Sequence, residues 1–474
     1  MNKQIQSKKN SENLIDRRTF LKTSVASAAY FAASSIRPLS ARQVRKQQPN
    51  ILIFLTDQQH LNTISAAGCP YVKTPAMDYL VENGVHFTES YSSNPLCSPA
   101  RSVIFTGRTT SETGVHVNGL SIRPDIPNMG QWFKENSNYD TYYAGKWHLP
   151  NNRIRSIKGF KVISTGLSGP GYLGDASISQ ACEALIRNRI SSKPFLMVAS
   201  FLQPHDICEW LRLNTYNPGH LRYPEIESEL PPLPKNFQFD SKEPQYLKNL
   251  RAQREPAIGK WDELHWRYYL WSYYRHIEMV DAEIGRVLQA LQETGQIKNT
   301  VVFLISDHGE GMAGQQMVRK SNPYDGASKV PLVVSWPGNI QKGKKITDHL
   351  VFHPDIMPTV CDLAGIKPPP LVRGHSLVPL LKGKKVQWPN FLVTEMPGNR
   401  ARLVRTLQFK YVTYVNDPVE MLFDRSIDPG ETRNVSDESK YAEILKEHKK
   451  ILMDWEKHLD PAPGVPNSDA WWRG

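Results

Sequence analysis

The sequence has few cysteines, five among 474 residues, and no Cys-x-x-Cys pair. Such scattered cysteines indicate neither a zinc site nor a disulfide framework, so free thiols are expected. No apolar run is long enough for a stable membrane-spanning helix, and no internal repeat is visible. The remaining composition, 40% hydrophobic and 22% charged, is that of an ordinary globular protein. The length suits one large domain and a smaller one.

The first 41 residues have the pattern of an export signal. Residues 16–22 read DRRTFLK, which is close to the twin-arginine consensus, and a weakly apolar stretch rich in Ala and Ser follows. We therefore expect a twin-arginine signal peptide over residues 1–41 and export to the periplasm or the exterior. The alternative is a disordered basic tail.

The positive charge of the chain is concentrated in this leader. The formal net charge is +12, but residues 1–48 hold ten of the 58 basic and two of the 46 acidic residues. The rest of the chain is only mildly basic, which is compatible with a polyanionic substrate. The charge therefore gives no reason to expect a nucleic-acid partner.

Several continuous apolar runs predict buried strands of a mostly parallel sheet. They cover residues 50–57, 141–146, 195–200, 300–308 and 330–336. Helical patterns between them predict an α/β domain over residues 49–380. Polar residues follow the carboxyl ends of these strands, where ligands bind in such sheets. A helix over 263–294 has apolar residues at core spacing, and no chemistry is assigned to it.

Two further regions complete the domain organisation. Residues 205–262 are rich in Pro and aromatic residues without clear periodicity, so we expect an irregular wall of the active site. A small C-terminal domain is expected over residues 386–474. It should contain short antiparallel strands at 391–395, 402–406 and 411–415, and a helix over 440–458.

The stretch Cys97-Ser98-Pro99-Ala100-Arg101 opens a short apolar run that stops at Gly107. A proline near the start and a glycine past the end predict a helix, which places Cys97 at its N-terminus. Backbone N–H groups there favour negative charge, so Cys97 is a candidate nucleophile. The alternative is a small buried hydrophobic residue. Arg101 favours the first interpretation because it lies on the same helical face.

These five residues also spell the Cys-x-Pro-x-Arg pattern, and the chain resembles the formylglycine-dependent (type I) sulfatases of the alkaline phosphatase superfamily. The resemblance covers residues 50 to about 435. Its other motifs are Leu55–Gln59, Gly145–His148, Gln203–His205, Asp307–Glu310 and Asp428–Asn434. It implies an alkaline-phosphatase-like α/β domain and a small C-terminal α+β domain with an antiparallel sheet.

The resemblance also implies a metal site formed by Asp57, Gln58, Cys97, Asp307 and His308. Oxygen ligands favour Ca²⁺ or Mg²⁺, with Ca²⁺ as the first choice, and the imidazole leaves Mn²⁺ possible. Most sulfatases have a second aspartate where this chain has Gln58. That departure is shared with a branch that includes phosphonate and phosphodiester hydrolases. Individually, each aspartate could instead be a turn residue.

The resemblance assigns a role to each remaining candidate. A maturation enzyme would convert Cys97 into formylglycine, whose hydrated aldehyde attacks sulfur, while Arg101 orients it. Lys146 contacts the sulfate, and His148 is the base that breaks down the sulfated intermediate. His205, with Lys320, assists departure of the alcohol. Lys329 is nearby in the sequence and remains an alternative to Lys320.

The implied function is hydrolysis of sulfate esters, with a sulfated polysaccharide or its oligosaccharides as the first choice of substrate. Arylsulfate and choline sulfate are also possible. Two alternatives stay open: a phosphonate monoester or phosphodiester hydrolase with the same machinery, which Gln58 favours, and an inactive glycan-binding relative.

Overall fold

The computed structural model describes residues 48–149, 156–166, 171–214, 224–259 and 261–465. The expected signal peptide, residues 1–41, lies outside this part of the chain.

A large, mostly parallel sheet occupies the centre of the protein, as predicted. Within the described residues its eight strands follow one another across the sheet in the order Lys161–Ser164, Asp140–Gly145, Phe195–Pro204, Asn50–Asp57, Thr300–Ser306, Leu332–Ser335, Gly84–Phe87 and Lys344–Ile346. Only Leu332–Ser335 runs antiparallel to its neighbours. Two short strands, Ser90–Tyr91 and Val351–Phe352, pair separately.

The central strand shows why an apolar run without polar interruptions forms this sheet. Every residue of Asn50–Asp57 is buried, and successive side chains point to opposite faces. Leu52 and Phe54 enter the core on one face, whereas Ile51 and Ile53 enter the core on the other. Both faces are therefore covered by helices, which is typical of parallel sheets.

The predicted long helix is confirmed as Glu263–Glu293. It begins after Asp262, whose side chain accepts a hydrogen bond from the backbone of His265, and Gly295 follows with a φ of 70°. The other helices in the described residues are Pro75–Glu82, Cys97–Thr106, Thr110–Thr113, Met129–Asn136, Gly171–Asn188, Ile207–Asn214, Gln245–Ile258, Asp325–Ser328, Ile356–Ala364, Val378–Leu381 and Ala442–Glu456. Short 3₁₀ helices cover Ser65–Ala67, Pro224–Glu229, Gln296–Asn299, Gly314–Gln316, His353–Asp355, Pro397–Asn399 and Ser439–Tyr441.

The prediction of an irregular segment over residues 205–262 was wrong in part. The segment contains the helices Ile207–Asn214 and Gln245–Ile258. Leu247 of the second helix packs with Met396 and Tyr414 of the C-terminal region. Only a narrow face of this helix is apolar, and that face packs against a distant part of the chain. The helical spacing of apolar residues in its sequence is therefore weak.

A second, antiparallel sheet forms in the C-terminal region, as predicted. Its strands Phe391–Glu395, Ala401–Thr406, Phe409–Tyr414 and Met421–Asp424 pair in sequence order. Leu422 faces a cluster that includes Leu452 of the helix Ala442–Glu456. Met421 and Phe423 face the opposite side, where Leu247 and Tyr324 complete the cluster. Because side chains alternate along each strand, both faces of this sheet carry apolar residues, and each face packs against one of these clusters.

A buried network of charges connects this sheet with the segment between the strands Thr300–Ser306 and Leu332–Ser335. The Lys410 side chain has no exposed surface; it contacts Asp325 Oδ1 at 2.7 Å and the carboxylate of Glu431, and it donates to the carbonyl of Pro323. Arg425 also pairs with Asp325 and Glu431. The two carboxylates are thus neutralised by two cations inside the protein.

The described residues contain no helix that is both long and apolar enough to cross a membrane. All five cysteines lie among the described residues, and none forms a disulfide.

We predict that Lys410→Met destabilises the protein by about 3–5 kcal/mol, because buried carboxylates lose a cation. Unfolding in urea measures the change. Lys446→Met is the matched control, since Lys446 is exposed and pairs with the exposed Glu443 at 3.7 Å. Equal stabilities of the two variants would contradict the assigned role of Lys410.

Candidate active site

Four neighbouring strands deliver the candidate residues to one edge of the central sheet. Parallel pairing places the ends of Asn50–Asp57 and Thr300–Ser306 side by side, so Asp57 and Asp307 leave the sheet together. Asp57 is also in register with Pro204, which precedes His205. Gly145 pairs with Ser200, and Lys146 follows it. This shared carboxyl edge is where α/β sheets place their ligands.

Cys97 is the first residue of the helix Cys97–Thr106, as predicted, and Gly107 ends that helix with a φ of 72°. The cysteine is 1% exposed. Its Sγ lies 3.3 Å from Nε2 of His308 and 3.0 Å from Nζ of Lys320. The helix N-terminus therefore presents the thiol to a group of charged side chains.

Arg101 lies one turn further along this helix and is completely buried. Its Nη2 donates to Oδ2 of Asp57 at 3.0 Å, and its Nε donates to Oδ2 of Asp307 at 2.8 Å. Its Nη1 donates to the carbonyl of Lys146 and to Oγ of Ser200. One guanidinium thus holds both aspartates and two strand ends in place.

Four of the five predicted metal ligands form a compact donor set. The ligand atoms of Asp57, Cys97, Asp307 and His308 all lie within 4.8 Å of one another, and all four residues are buried. Ligands at 2.3–2.6 Å from one Ca²⁺ ion are at most about 5 Å apart. The spacing of these donor atoms therefore fits a single divalent cation, with Cys97 Sγ at the position that an oxygen of the matured residue would take.

The imidazole of His308 is oriented to bind such a cation. Its Nδ1 lies 2.9 Å from the carbonyl oxygen of Gly309. Because a carbonyl only accepts, Nδ1 carries the hydrogen, so the neutral form of the ring, which metal binding requires, would have its lone pair on Nε2, which faces Cys97. A backbone contact of this kind is the usual way in which proteins orient a metal-binding histidine.

Gln58, the fifth predicted ligand, lies beside this donor set. Its Oε1 accepts from Nζ of Lys320 at 2.8 Å, and its Nε2 donates to Oε2 of Glu310 at 2.5 Å. The backbone N–H of Gln58 donates to Asp307 at 3.1 Å. The amide oxygen of Gln58 therefore faces the lysine that contacts Cys97.

Lys146 reaches Asp57 through a tight turn. Its Nζ lies 2.6 Å from Oδ2 of Asp57. Gly145 precedes it with a φ of 97°, and a Cβ atom there would lie 2.0 Å from the carbonyl oxygen of Ser200. Only glycine allows the strand to approach so closely, and this approach aims Lys146 into the site.

The structure separates the two lysines that the sequence left as alternatives. Lys320 contacts Cys97 and Gln58. Lys329 instead pairs with Glu89 at 2.7 Å, with its ammonium 5.7 Å from the ring centroid of Tyr91. The structure brings Lys320, and not Lys329, to the cysteine.

The two predicted histidines lie near different residues of the site. His148 has a φ of 60°, and its carbonyl accepts a hydrogen bond from Oγ of Ser98 at 2.6 Å, next to Cys97. His205 is half-buried and is close enough to Asp57 to lower the pKa of that carboxyl.

The charges of the site stabilise anions at its centre. Burial alone would raise the pKa of Cys97, but Lys146, Lys320 and His308 hold it well below its usual value. Burial and Cys97 would likewise raise the pKa of Asp57, yet nearby cations hold it below its usual value. A nucleophile or an anionic substrate at this position would be stabilised in the same way.

Sequence reasoning missed a second layer of side chains behind Gln58. Tyr269 and Tyr273 of the long helix have rings in the core, but their hydroxyls donate to the Glu310 carboxylate and the Gln58 carbonyl. Burial and Glu310 hold the pKa of Tyr269 well above its usual value, so it remains a donor. In the sequence, the pointer to this layer of side chains was Glu310, which belongs to the Asp307–Glu310 motif.

Comparison with known proteins agrees with this geometry. A family model described as Sulfatase matches residues 49–366, and one described as N-sulphoglucosamine sulphohydrolase, C-terminal, matches residues 316–458. Over 441 residues, the chain is 31% identical to a delta 4,5-hexuronate-2-O-sulfatase of Bacteroides thetaiotaomicron, which covers 86% of this chain and 89% of that protein.

Two further similarities span most of the chain. An ulvan-active sulfatase of Formosa agariphila is 28% identical over 446 residues, or 86% of this chain and 80% of that protein. The solved structure of a 2-O GAG sulfatase superposes with a TM-score of 0.78 at 29% identity, covering 87% of this chain and 92% of the other.

We predict that Asp307→Asn weakens the binding of a divalent cation by about a hundredfold or more, because even an outer partner of a metal ligand is worth 10–100-fold. Calorimetric titration of metal-stripped protein with CaCl₂ measures the affinity. Asp281→Asn is the control, since Asp281 is equally buried but binds the backbone of Ala76 and Met77. Unchanged Ca²⁺ affinity in Asp307→Asn would show that the cation binds elsewhere.

Proposed function

The chain belongs to the sulfatase family of the alkaline phosphatase superfamily and is a sulfuric ester hydrolase, and on this premise we propose that it desulfates a sulfated polysaccharide or its oligosaccharides. The observation that carries the proposal is the position of Cys97. It stands at a helix N-terminus together with three other candidate metal ligands and two lysines.

The choice of a glycan substrate rests on the relatives. One relative is named for a hexuronate 2-O-sulfate and another for ulvan, and both align over most of this chain. We therefore propose a sulfated sugar as the partner of this site, with a 2-O-sulfated unsaturated hexuronate as the first compound to test.

The nucleophile of the proposed reaction is formylglycine, made from Cys97 by a maturation enzyme. When formed, this residue supplies a hydrated aldehyde whose hydroxyl attacks sulfur. The cation, for which we propose Ca²⁺, supplies Lewis acidity and positive charge at the same position. Asp57, Gln58, Asp307 and His308 would hold it together with residue 97.

The other side chains then act on the substrate. Lys146 and Lys320 stabilise the negative charge of the sulfate oxygens as the bond from sulfur to the sugar oxygen breaks. His205, assisted by Lys320, supplies the proton that the departing alcohol needs. His148, held by Ser98 beside residue 97, is the base for release of sulfate.

Arg101 is proposed to position this machinery. Its donors are directed to Asp57, Asp307, Lys146 and Ser200. It therefore fixes the two aspartates and the turn that carries Lys146. Through these groups it also orients residue 97.

We predict that Cys97 is converted to formylglycine when the protein is produced with a maturation system. Mass spectrometry of the tryptic peptide containing Cys97 should show the loss expected when the thiol-bearing carbon becomes an aldehyde. A known sulfatase made in the same cells is the control. If the control is converted while Cys97 stays a thiol, the proposed nucleophile is wrong.

We predict that the matured protein hydrolyses a sulfate ester with a kcat/KM at least about tenfold above that for a phosphodiester with the same leaving group. Paired aryl substrates measure this ratio, and sulfated disaccharides extend the screen. A higher kcat/KM for the phosphodiester would favour the phosphodiesterase alternative. Binding of sulfated sugar without turnover would favour an inactive glycan-binding protein.

A matched pair of lysine variants assigns the turnover to this site. Lys320→Ala should lower kcat by about a hundredfold or more, as loss of one charge-stabilising donor does in other enzymes. Lys329→Ala should retain activity, because Lys329 pairs with Glu89. Equal loss in both variants would contradict the assignment of Lys320.

A further inference from the structure

Glu310 is a completely buried carboxylate that lies directly behind Gln58. It accepts hydrogen bonds from the side chain of Gln58, from the hydroxyl of Tyr269 and from the backbone N–H of Arg319. Arg319 precedes Lys320 in the chain and has a φ of 64°. One carboxylate thus contacts both the Gln58 side chain and the loop that delivers Lys320.

These contacts decide which end of the Gln58 amide faces the site. A carboxylate only accepts hydrogen bonds, so the NH₂ group of Gln58 must point to Glu310. The second hydrogen of that NH₂ has Cys208 Sγ as a partner at 3.4 Å. The oxygen Oε1 is therefore left on the opposite side, 2.8 Å from Nζ of Lys320. That nitrogen is in turn 3.0 Å from Cys97 Sγ.

We propose that Glu310 is a positioning residue for the cation, because it fixes Gln58 with its oxygen, and not its nitrogen, on the side of Lys320 and Cys97. The inference rests on the cation site of the proposed function. It also gives a physical reason for glutamine at position 58. A carboxylate at that position would face Glu310 at hydrogen-bond distance, and two buried like charges repel.

Glu310→Gln tests this inference. A glutamine at position 310 can offer either its oxygen or its nitrogen to Gln58, so only Lys320 then sets the orientation of the Gln58 amide. We expect Ca²⁺ affinity to fall by about tenfold, the lower end of the range for outer partners of metal ligands. Calorimetric titration of the metal-stripped full-length protein with CaCl₂ measures it.

Two controls separate orientation of Gln58 from general damage to the fold. Glu243→Gln changes another buried carboxylate, which binds Arg251 and Tyr324, and should leave Ca²⁺ affinity unchanged. Glu310→Gln should still unfold in urea in a single cooperative transition, which a misfolded variant would not show. Should Glu310→Gln fail to fold, Tyr269→Phe removes one donor to Glu310 and should weaken Ca²⁺ binding by about twofold to threefold.

A double-mutant cycle adds a readout that a merely structural role would not change. Gln58→Glu alone places two carboxylates in contact, whereas Gln58→Glu with Glu310→Gln restores one carboxylate and one amide in exchanged positions. The double variant should bind Ca²⁺ at least about tenfold more tightly than the two single effects predict together.

Two results would overturn the inference. The first is parent-like Ca²⁺ affinity in folded Glu310→Gln, and the second is additivity in the cycle; either would leave the proposed cation site intact. A parent protein that binds no divalent cation would instead overturn the cation site, and the inference with it.

Discussion

The guanidinium of Arg101, buried between Asp57 and Asp307, is the contact on which the rest of the site depends. The two aspartates end adjacent strands of the central sheet, so parallel pairing forces two carboxylates together away from water. Without a cation between them, such a pair would be strongly unfavourable, and loss of one partner from a buried ion pair costs about 3–5 kcal/mol. Because the same guanidinium also binds the Lys146 carbonyl, it fixes the position of a third strand end.

This arrangement makes the site suitable for an anionic substrate. Asp57 and Asp307 together with Arg101 leave one negative charge, and a divalent cation would reverse its sign. Lys146 and Lys320 add two further positive charges beside Cys97. Where side chains are buried as these are, fixed charges stabilise a sulfate more than they would in solution.

The loop that carries Lys320 requires support from outside the central sheet. Residues 312–321 include six non-glycine residues with positive φ, each of which persists only where its surroundings hold it. Gln315 donates from its backbone to Asn236 and from its side chain to the carbonyl of Gly430. Glu310 accepts from Arg319 in the same loop. The segment before the long helix and the C-terminal region therefore contribute to the site without lying in it.

The sequence by itself determined the buried strands, the helix that begins at Cys97 and the polar residues at the strand ends, because periodicity and capping are local properties. It also supplied the motifs through which the family resemblance identified the candidate ligands. It did not distinguish Lys320 from Lys329, and it assigned Tyr269 only to the core. Those outcomes depend on contacts between segments about 40 to 260 residues apart, such as that between Gln58 and Lys320. Only the order of the strands and the path of the loops bring such side chains together, and neither is encoded in a local pattern.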